Sequence, residues 1–328
     1  MLKNSDITRL VHTRNGVALF SILAIVATLY AYFNANVVLP LGDKGFGIPS
    51  AVQWLPVGAL SMMASLSLNL LIIFLMMLLN KTFNLLRSIT PVHAAVFMIL
   101  QMAIPDFMCT LYDGTIMMVV VLLCSILLFS TYCDADNTPR VFLIFFSLTL
   151  CAFTQYAYLP LLPVFFIGCI QMRIMQWRTF LAAGIGVIAP IWLLFGFGII
   201  TTDDLAMPRI ASVFVSLDIY EAIYMIVTAA LTVLLCISMW VLNLMRVIGF
   251  NMQTRAYNGF FALLSLAVIV LILVDYGNFE VYVPLLNCCT AFQVAHFLTV
   301  RRSKYGYLWV VGLLVIYATL YLWGVWMF

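Results

Sequence analysis

Apolar runs long enough to cross a bilayer follow one another along nearly the whole chain. A helix needs about 20 apolar residues to span a hydrocarbon core about 30 Å thick. Within that core only helices and closed barrels keep every backbone N–H and C=O paired. The runs are Gly16–Leu39, Val52–Leu79, Pro91–Cys109, Thr115–Thr131, Val141–Ile170, Phe180–Ile200, Ile219–Leu244, Gly259–Val274, Val281–Val300 and Tyr305–Phe328. Composition excludes the alternative of packed soluble domains, a nucleic-acid-binding module or a disulfide scaffold. Hydrophobic residues are 66% and charged residues 8% of the 328, against about half and about a quarter in soluble chains. The expected fold is an all-α polytopic integral membrane protein. Residues 1–15 read as an amphipathic segment on the cytoplasmic membrane surface, with Ile7, Leu10 and Val11 on one face, and 16–328 as a single transmembrane helical domain.

The run Val141–Ile170 carries no formal charge. As one helix it would be about 45 Å long, more than the bilayer core needs. Its centre reads Thr154-Gln155-Tyr156-Ala157-Tyr158-Leu159-Pro160-Leu161-Leu162-Pro163. Two prolines so close together break a helix, because each lacks an N–H and clashes with the preceding turn. The run therefore reads as two short helices joined near Gln155–Pro160, which makes about eleven membrane helices in all. Charge tests that choice. With the hairpin and a cytoplasmic N-terminus, every Lys and Arg except Lys44 and Arg209 falls on the cytoplasmic side, as the positive-inside rule requires. Without it, the later basic loops change sides. The C-terminus is then outside.

Three groups of residues are candidates for chemistry. The first is the hairpin turn, with Thr154, Gln155, Tyr156 and Tyr158: irregular backbone below the membrane surface is tolerated where it is packed in protein or lines a wet cavity, and broken helices mark binding sites in transporters. The second is an outer acidic set. It comprises Asp43, Asp106, Asp113, the pair Asp203 and Asp204, Asp218, Glu221, Asp275 and Glu280. A carboxylate at a membrane-embedded mouth serves as a general base or holds a cation, and Arg209 or Lys44 would hold a phosphate; the plainer reading of each acid is a solvated loop residue. The third is intramembrane polarity at Asn69, Gln101, Asn287, Gln293 and His296, groups that ordinarily hydrogen-bond between helices. No acid or base falls at the centre of a run, which argues against a proton-coupled pump. His12, His93 and His296 are scattered and no cysteines have zinc-type spacing, so neither a metal site nor a cofactor is expected. Phosphate-loop, dinucleotide, nucleophile-elbow and zincin motifs do not occur.

Three stretches resemble a multi-pass inner-membrane family of Bacteroidota known as a domain of unknown function. They are Leu86-Arg87-Ser88-Ile89-Thr90-Pro91 leading to Ile104-Pro105-Asp106-Phe107; Arg140 through the hairpin to Arg173, then Arg178, Gly184, Gly186 and Pro190; and Arg255-Ala256-Tyr257 through Tyr282-Val283-Pro284-Leu285-Leu286 to Arg301-Arg302. The resemblance implies an inner-membrane protein of the cell envelope and assigns no activity. More distantly, the short hairpin, basic inner loop and Gly/Pro-containing span look similar to the membrane core of C-type glycosyltransferases. That likeness implies handling of a polyprenyl-phosphate-linked glycan at the outer face, with Asp43 as catalytic base or metal ligand and Arg209 on phosphate; Asp203 and Asp204 of the outer set are further substrate-binding candidates, and Gln155 and Tyr158 are the substrate-binding candidates of a transporter. Those enzymes carry an acidic motif in the first outer loop, where this chain has Asp43 beside Lys44. The other readings are a non-enzymatic subunit of a transport or envelope-assembly complex, with protein partners in the membrane, and a small-molecule transporter. Membrane lipids are expected partners under each, and nucleic acid under none.

Overall fold

The structure is a computed structural model, and it describes residues 14–34, 46–55, 58–86, 90–134, 137–201, 219–247, 249–300 and 306–326. All regular secondary structure among them is helical. The main helices are α1 (Arg14–Asn34), α2 (Ala59–Phe83), α3 (Val92–Met102), α4 (Asp113–Ser130), α5 (Thr138–Ala152), α6 (Leu161–Gln171), α7 (Trp177–Gly196), α8 (Ile219–Val247), α9 (Met252–Val274), α10 (Phe279–Val300) and α11 (Gly306–Trp326). Single turns at Ala51–Trp54 and Asp106–Cys109 lead into α2 and α4. Among the described residues, 8 helices are long and apolar enough to cross a membrane, and α3, α5 and α6 are shorter apolar helices.

The short helices arise where the backbone ladder is broken. α5 and α6 are 15 and 11 residues long, about 22 and about 16 Å. A 3-10 turn at Tyr156–Tyr158 joins them, and Pro160 stands at the N-cap of α6, where its missing N–H costs nothing. The two-helix hairpin expected from the prolines is present. α5 also packs along α7. Gly186 permits this: a β-carbon there would lie 2.8 Å from Phe142 O. Gly186→Val is expected to cost about 1–3 kcal/mol through overpacking, read as a lowered unfolding midpoint in detergent; an unchanged midpoint would show that the two helices separate freely.

α3 and α10 form the centre. Every residue from Pro91 to Thr115 is buried, as is every residue from Val281 to Leu298. α10 packs against α3, α4, α8 and α9, and α3 also meets α1, α2 and α11. The peripheral helices turn large apolar side chains outward, among them Ile188, Trp192, Leu234 and Val315, as a lipid-facing surface requires. α10 carries Asn287, Thr290, Gln293 and His296, all buried. Such a helix is stable in an apolar bundle only at the centre, where neighbours supply hydrogen bonds. Asn287 Nδ2 donates to Gln101 Oε1 of α3 (3.0 Å), and Asn243 Nδ2 of α8 donates to Gln293 Oε1 (3.0 Å).

The bundle has two chemically distinct ends. At one, Tyr257 donates to Phe129 O, Cys133 N to Met172 O and Asn258 to Leu85 O. These contacts gather the ends of α2, α4 and α6 with the start of α9. Lys81, Arg140, Arg173, Arg178 and Arg255 belong to this basic end. Its ion pair, Arg140–Asp134 at 2.8 Å, has side chains 41% and 36% exposed, so it contributes about 0–1 kcal/mol. The opposite, acidic end holds the hairpin tip, the α9–α10 corner and the start of α4.

Candidate functional site

The hairpin tip is closed over a buried polar knot. The α9–α10 corner is a 3-10 turn at Tyr276–Asn278, preceded by Asp275. Asp275 Oδ1 accepts from Tyr156 Oη (3.3 Å); its Oδ2 accepts from Asn278 Nδ2 (2.7 Å) and from Tyr282 Oη (3.3 Å). Asn278 Nδ2 also donates to Tyr156 Oη, and Gln155 Nε2 donates to Asn278 Oδ1 (3.3 Å). All five side chains are buried. Phe46 lies edge-on to Phe153 and Tyr156, and its N–H donates to Phe153 O (3.0 Å). The stretch from Phe46 thereby covers the tip. Asp113, at the first turn of α4, accepts from Ala51 N (2.9 Å) and acts electrostatically on the buried Tyr158, whose hydroxyl meets Cys151.

Beside the knot lies a break in the membrane-embedded chain. α3 ends at Met102, 11 residues after it begins, or about 16 Å. Pro105 then prevents the ladder from continuing, and residues 103–112 turn back into α4. Ser65 Oγ donates to Phe107 O (3.0 Å) and Leu111 N to Ser61 Oγ (2.8 Å). Ser65 is in the second turn of α2, so the break sits about 9 Å along that helix from its acidic end. Asp106 is in the break and 4% exposed. Tyr224 of α8 donates its hydroxyl to Asp106 Oδ2. Glu280, in the first turn of α10, is close enough to act electrostatically on Asp106 and on Tyr112. Among the described residues, Asp106, Asp113 and Asp275 make no ion pair. A buried carboxylate without a counter-charge carries a desolvation cost that its hydrogen bonds must offset.

Polar groups continue from the break along the α3–α10 seam. Tyr112, Thr115 and Gln101 are buried side by side, the Tyr112 hydroxyl meeting the side chains of both others. Below them come the Gln101–Asn287 pair, then His93, 1% exposed and stacked on Phe292 with ring centroids 5.2 Å apart. The Asn243–Gln293 pair and His296 follow at the basic end. The His93 ring meets the backbone of Met76 and Thr90. These buried polar groups fall on one line between the ends of the bundle.

Of the residues proposed from sequence, Gln155 and Tyr158 are at the hairpin tip, Gln155 within the knot and Tyr158 behind it. Asp43, Asp203, Asp204 and Arg209 lie outside the described residues, as do Lys44 and Asp218. The acids Asp106, Asp113 and Asp275, whose plainer reading was a solvated loop, are instead buried. Sequence reasoning found no ionisable group deep in a run; the fold carries Asp106 inward because its run is half a helix followed by a turn. The signal was Ile104-Pro105-Asp106, a proline and an acid within an apolar stretch. Tyr156 is part of the polar hairpin turn read from sequence, whereas Tyr224, Asn278 and Tyr282 left no such signal. Among the described residues no three His, Cys, Asp or Glu side chains converge as a metal-binding group. No protein-family model, curated protein or solved structure matches the chain.

Proposed function

We propose that the chain is a proton-coupled carrier of a small polar solute in a bacterial inner membrane. About eleven helices cross or enter the bilayer, the basic end faces the cytoplasm and the C-terminus lies outside. The observation that carries this reading is Asp106: a buried carboxyl in a helix break, below the end of the bundle, with Tyr224 on one oxygen and Glu280 nearby. Ionisable groups at membrane depth are costly and mark ion and substrate pathways, and broken helices supply polar backbone where a substrate can reach it. The line of buried polar side chains along α3–α10 extends the same logic toward the basic end. The glycan-handling reading depends on Asp43 and Arg209, outside the described residues, so the carrier reading stands first.

The test is reconstitution into liposomes holding a pH-sensitive dye, with an imposed pH gradient and a panel of sugars, amino acids and nucleosides outside. A carrier acidifies or alkalinises the lumen only with its solute present. Proton movement equal to that of protein-free liposomes throughout the panel would sink the proposal. Orientation is tested separately: a reporter active only outside the cytoplasm, fused after Phe328, is expected to be active. Fluorescence from a cytoplasm-only reporter at the same position would invert the topology.

A further inference from the structure

Two cavities adjoin at the basic end, far from the acidic knot. The first, about 290 Å³, lies between the end of α6 and the start of α9, with Tyr132, Gln171, Arg173 and Met252 in its walls. The second, about 270 Å³, lies among α8, α9 and α10, with Trp240, Asn243, Leu244 and Gln293 in its walls. Arg255 and Gly259 border both. A β-carbon at Gly259 would meet one neighbour, Gln171 Oε1 at 3.9 Å, so the missing side chain leaves the junction open.

The walls have the chemistry of a phosphate site. Arg173 follows the C-cap of α6 with φ of 59°. A left-handed residue after a helix is ordinarily glycine; here strain is accepted and a guanidinium stands at the cavity. Arg173 makes no ion pair among the described residues. Arg255 donates to Phe250 O (3.1 Å), which fixes its guanidinium near the start of α9. The N-cap of α9, Asn251, makes no side-chain cap bond, so first-turn amides of that helix are open to an anion. Guanidinium groups and helix N-termini both present donors suited to a phosphate.

Two further features select among phosphate compounds. Asn243 Oδ1 and Gln171 Oε1 are buried acceptors with no donor, and Asn243 is 2% exposed. They call for a ligand that also carries hydroxyl or ammonium donors. Trp240, Ala262 and Leu244 supply an apolar wall, and Leu244 is exposed on the outside of the bundle. We propose that this double cavity binds a phosphate-bearing amphiphile from the leaflet at the basic end, with phosphate between Arg173 and Arg255 and its chain along Trp240 and Leu244.

The test is native mass spectrometry of the full chain, delipidated in detergent and titrated with phosphatidylglycerol, phosphatidylcholine or inorganic phosphate. Wild type is expected to retain one phosphatidylglycerol. Arg173→Gln/Arg255→Gln should lower that occupancy at least about tenfold, since charged hydrogen bonds are lost at both positions. Gly259→Leu, which keeps both arginines and fills the junction, should lower it as well. If the double variant does not purify as a single species, Arg173→Gln alone, at an exposed helix end, replaces it. Arginine-dependent binding of inorganic phosphate that displaces the lipid would keep the phosphate site and remove the amphiphile. Equal retention of phosphatidylcholine, or retention unchanged in the variants, would overturn the proposal.

Discussion

Asp106→Asn is expected to lower solute-dependent proton flux in proteoliposomes by at least about a hundredfold. The substitution is nearly isosteric. Its amide oxygen still accepts from Tyr224, so packing around the break survives. What disappears is the only carboxyl in the break itself: an amide neither binds nor releases a proton between about pH 4 and 10. The thermal midpoint should stay within about 2 °C of wild type, much less than a lost core contact would shift it. Removing a buried anion's desolvation cost stabilises, and weakening one hydrogen bond destabilises, and the two oppose each other. Tyr224→Phe keeps the ring and removes the donor, so it should slow flux less than Asp106→Asn does. Wild-type flux from folded Asp106→Asn would exclude Asp106 from the transport cycle and leave the carrier reading without its principal support.

Asp275→Ala should reduce stability by about 3 kcal/mol, the largest loss expected from any single polar side chain in the bundle. One truncation strands three donors, on Tyr156, Asn278 and Tyr282, in a buried place where water does not replace the lost acceptor. Each intramembrane hydrogen bond is worth about 0.6 kcal/mol on average and up to about 1.7, and charged acceptors lie toward the upper part of the range. The loss should appear in unfolding by SDS titration, together with faster proteolysis at the hairpin tip. Asp134→Ala, at the exposed ion pair, provides the contrast: about 0.5 kcal/mol or less. Similar losses for the two variants would mean that the knot is wet and carries no structural weight.

How much of this was legible in the chain follows from what each feature depends on. The hairpin could be read because Pro160 and Pro163 act locally, on their own backbone, and because basic residues on either side fix which face each loop occupies. The break at Pro105 acts just as locally. It was hidden because the apolar stretch Pro91–Cys109 has the length of a full crossing, and one proline near its end reads as a kink. The knot was not legible at all. Asp275 and Tyr156 stand more than a hundred residues apart, and their meeting depends on how α5, α9 and α10 are rotated against one another. In helices that are apolar on every side, periodicity carries no face to orient them. Polarity was the better guide: Gln101, Asn287, Gln293 and His296 were recognised as buried bonding groups, and they lie on the helices at the centre. Asp43, Asp203, Asp204 and Arg209 came from their position in outer loops, and position alone provides no geometry.

The central place of α10 has a consequence for biosynthesis. α3 leaves the ribosome early and α10 next to last, so at about 5–20 residues per second α3 waits roughly 10 to 35 s for the helix that covers it. During that interval Gln101 lacks Asn287 and the Asp106 turn has no Glu280 above it. The nascent chain is therefore an open ring of helices around an unfinished interior, held together by peripheral contacts alone. Closure is a single late event, made when residues 279–300 enter the gap. A chain stopped before residue 279 would display polar groups of α3 and α8 to lipid, and such a product should be removed by membrane proteases rather than accumulate as a smaller working bundle.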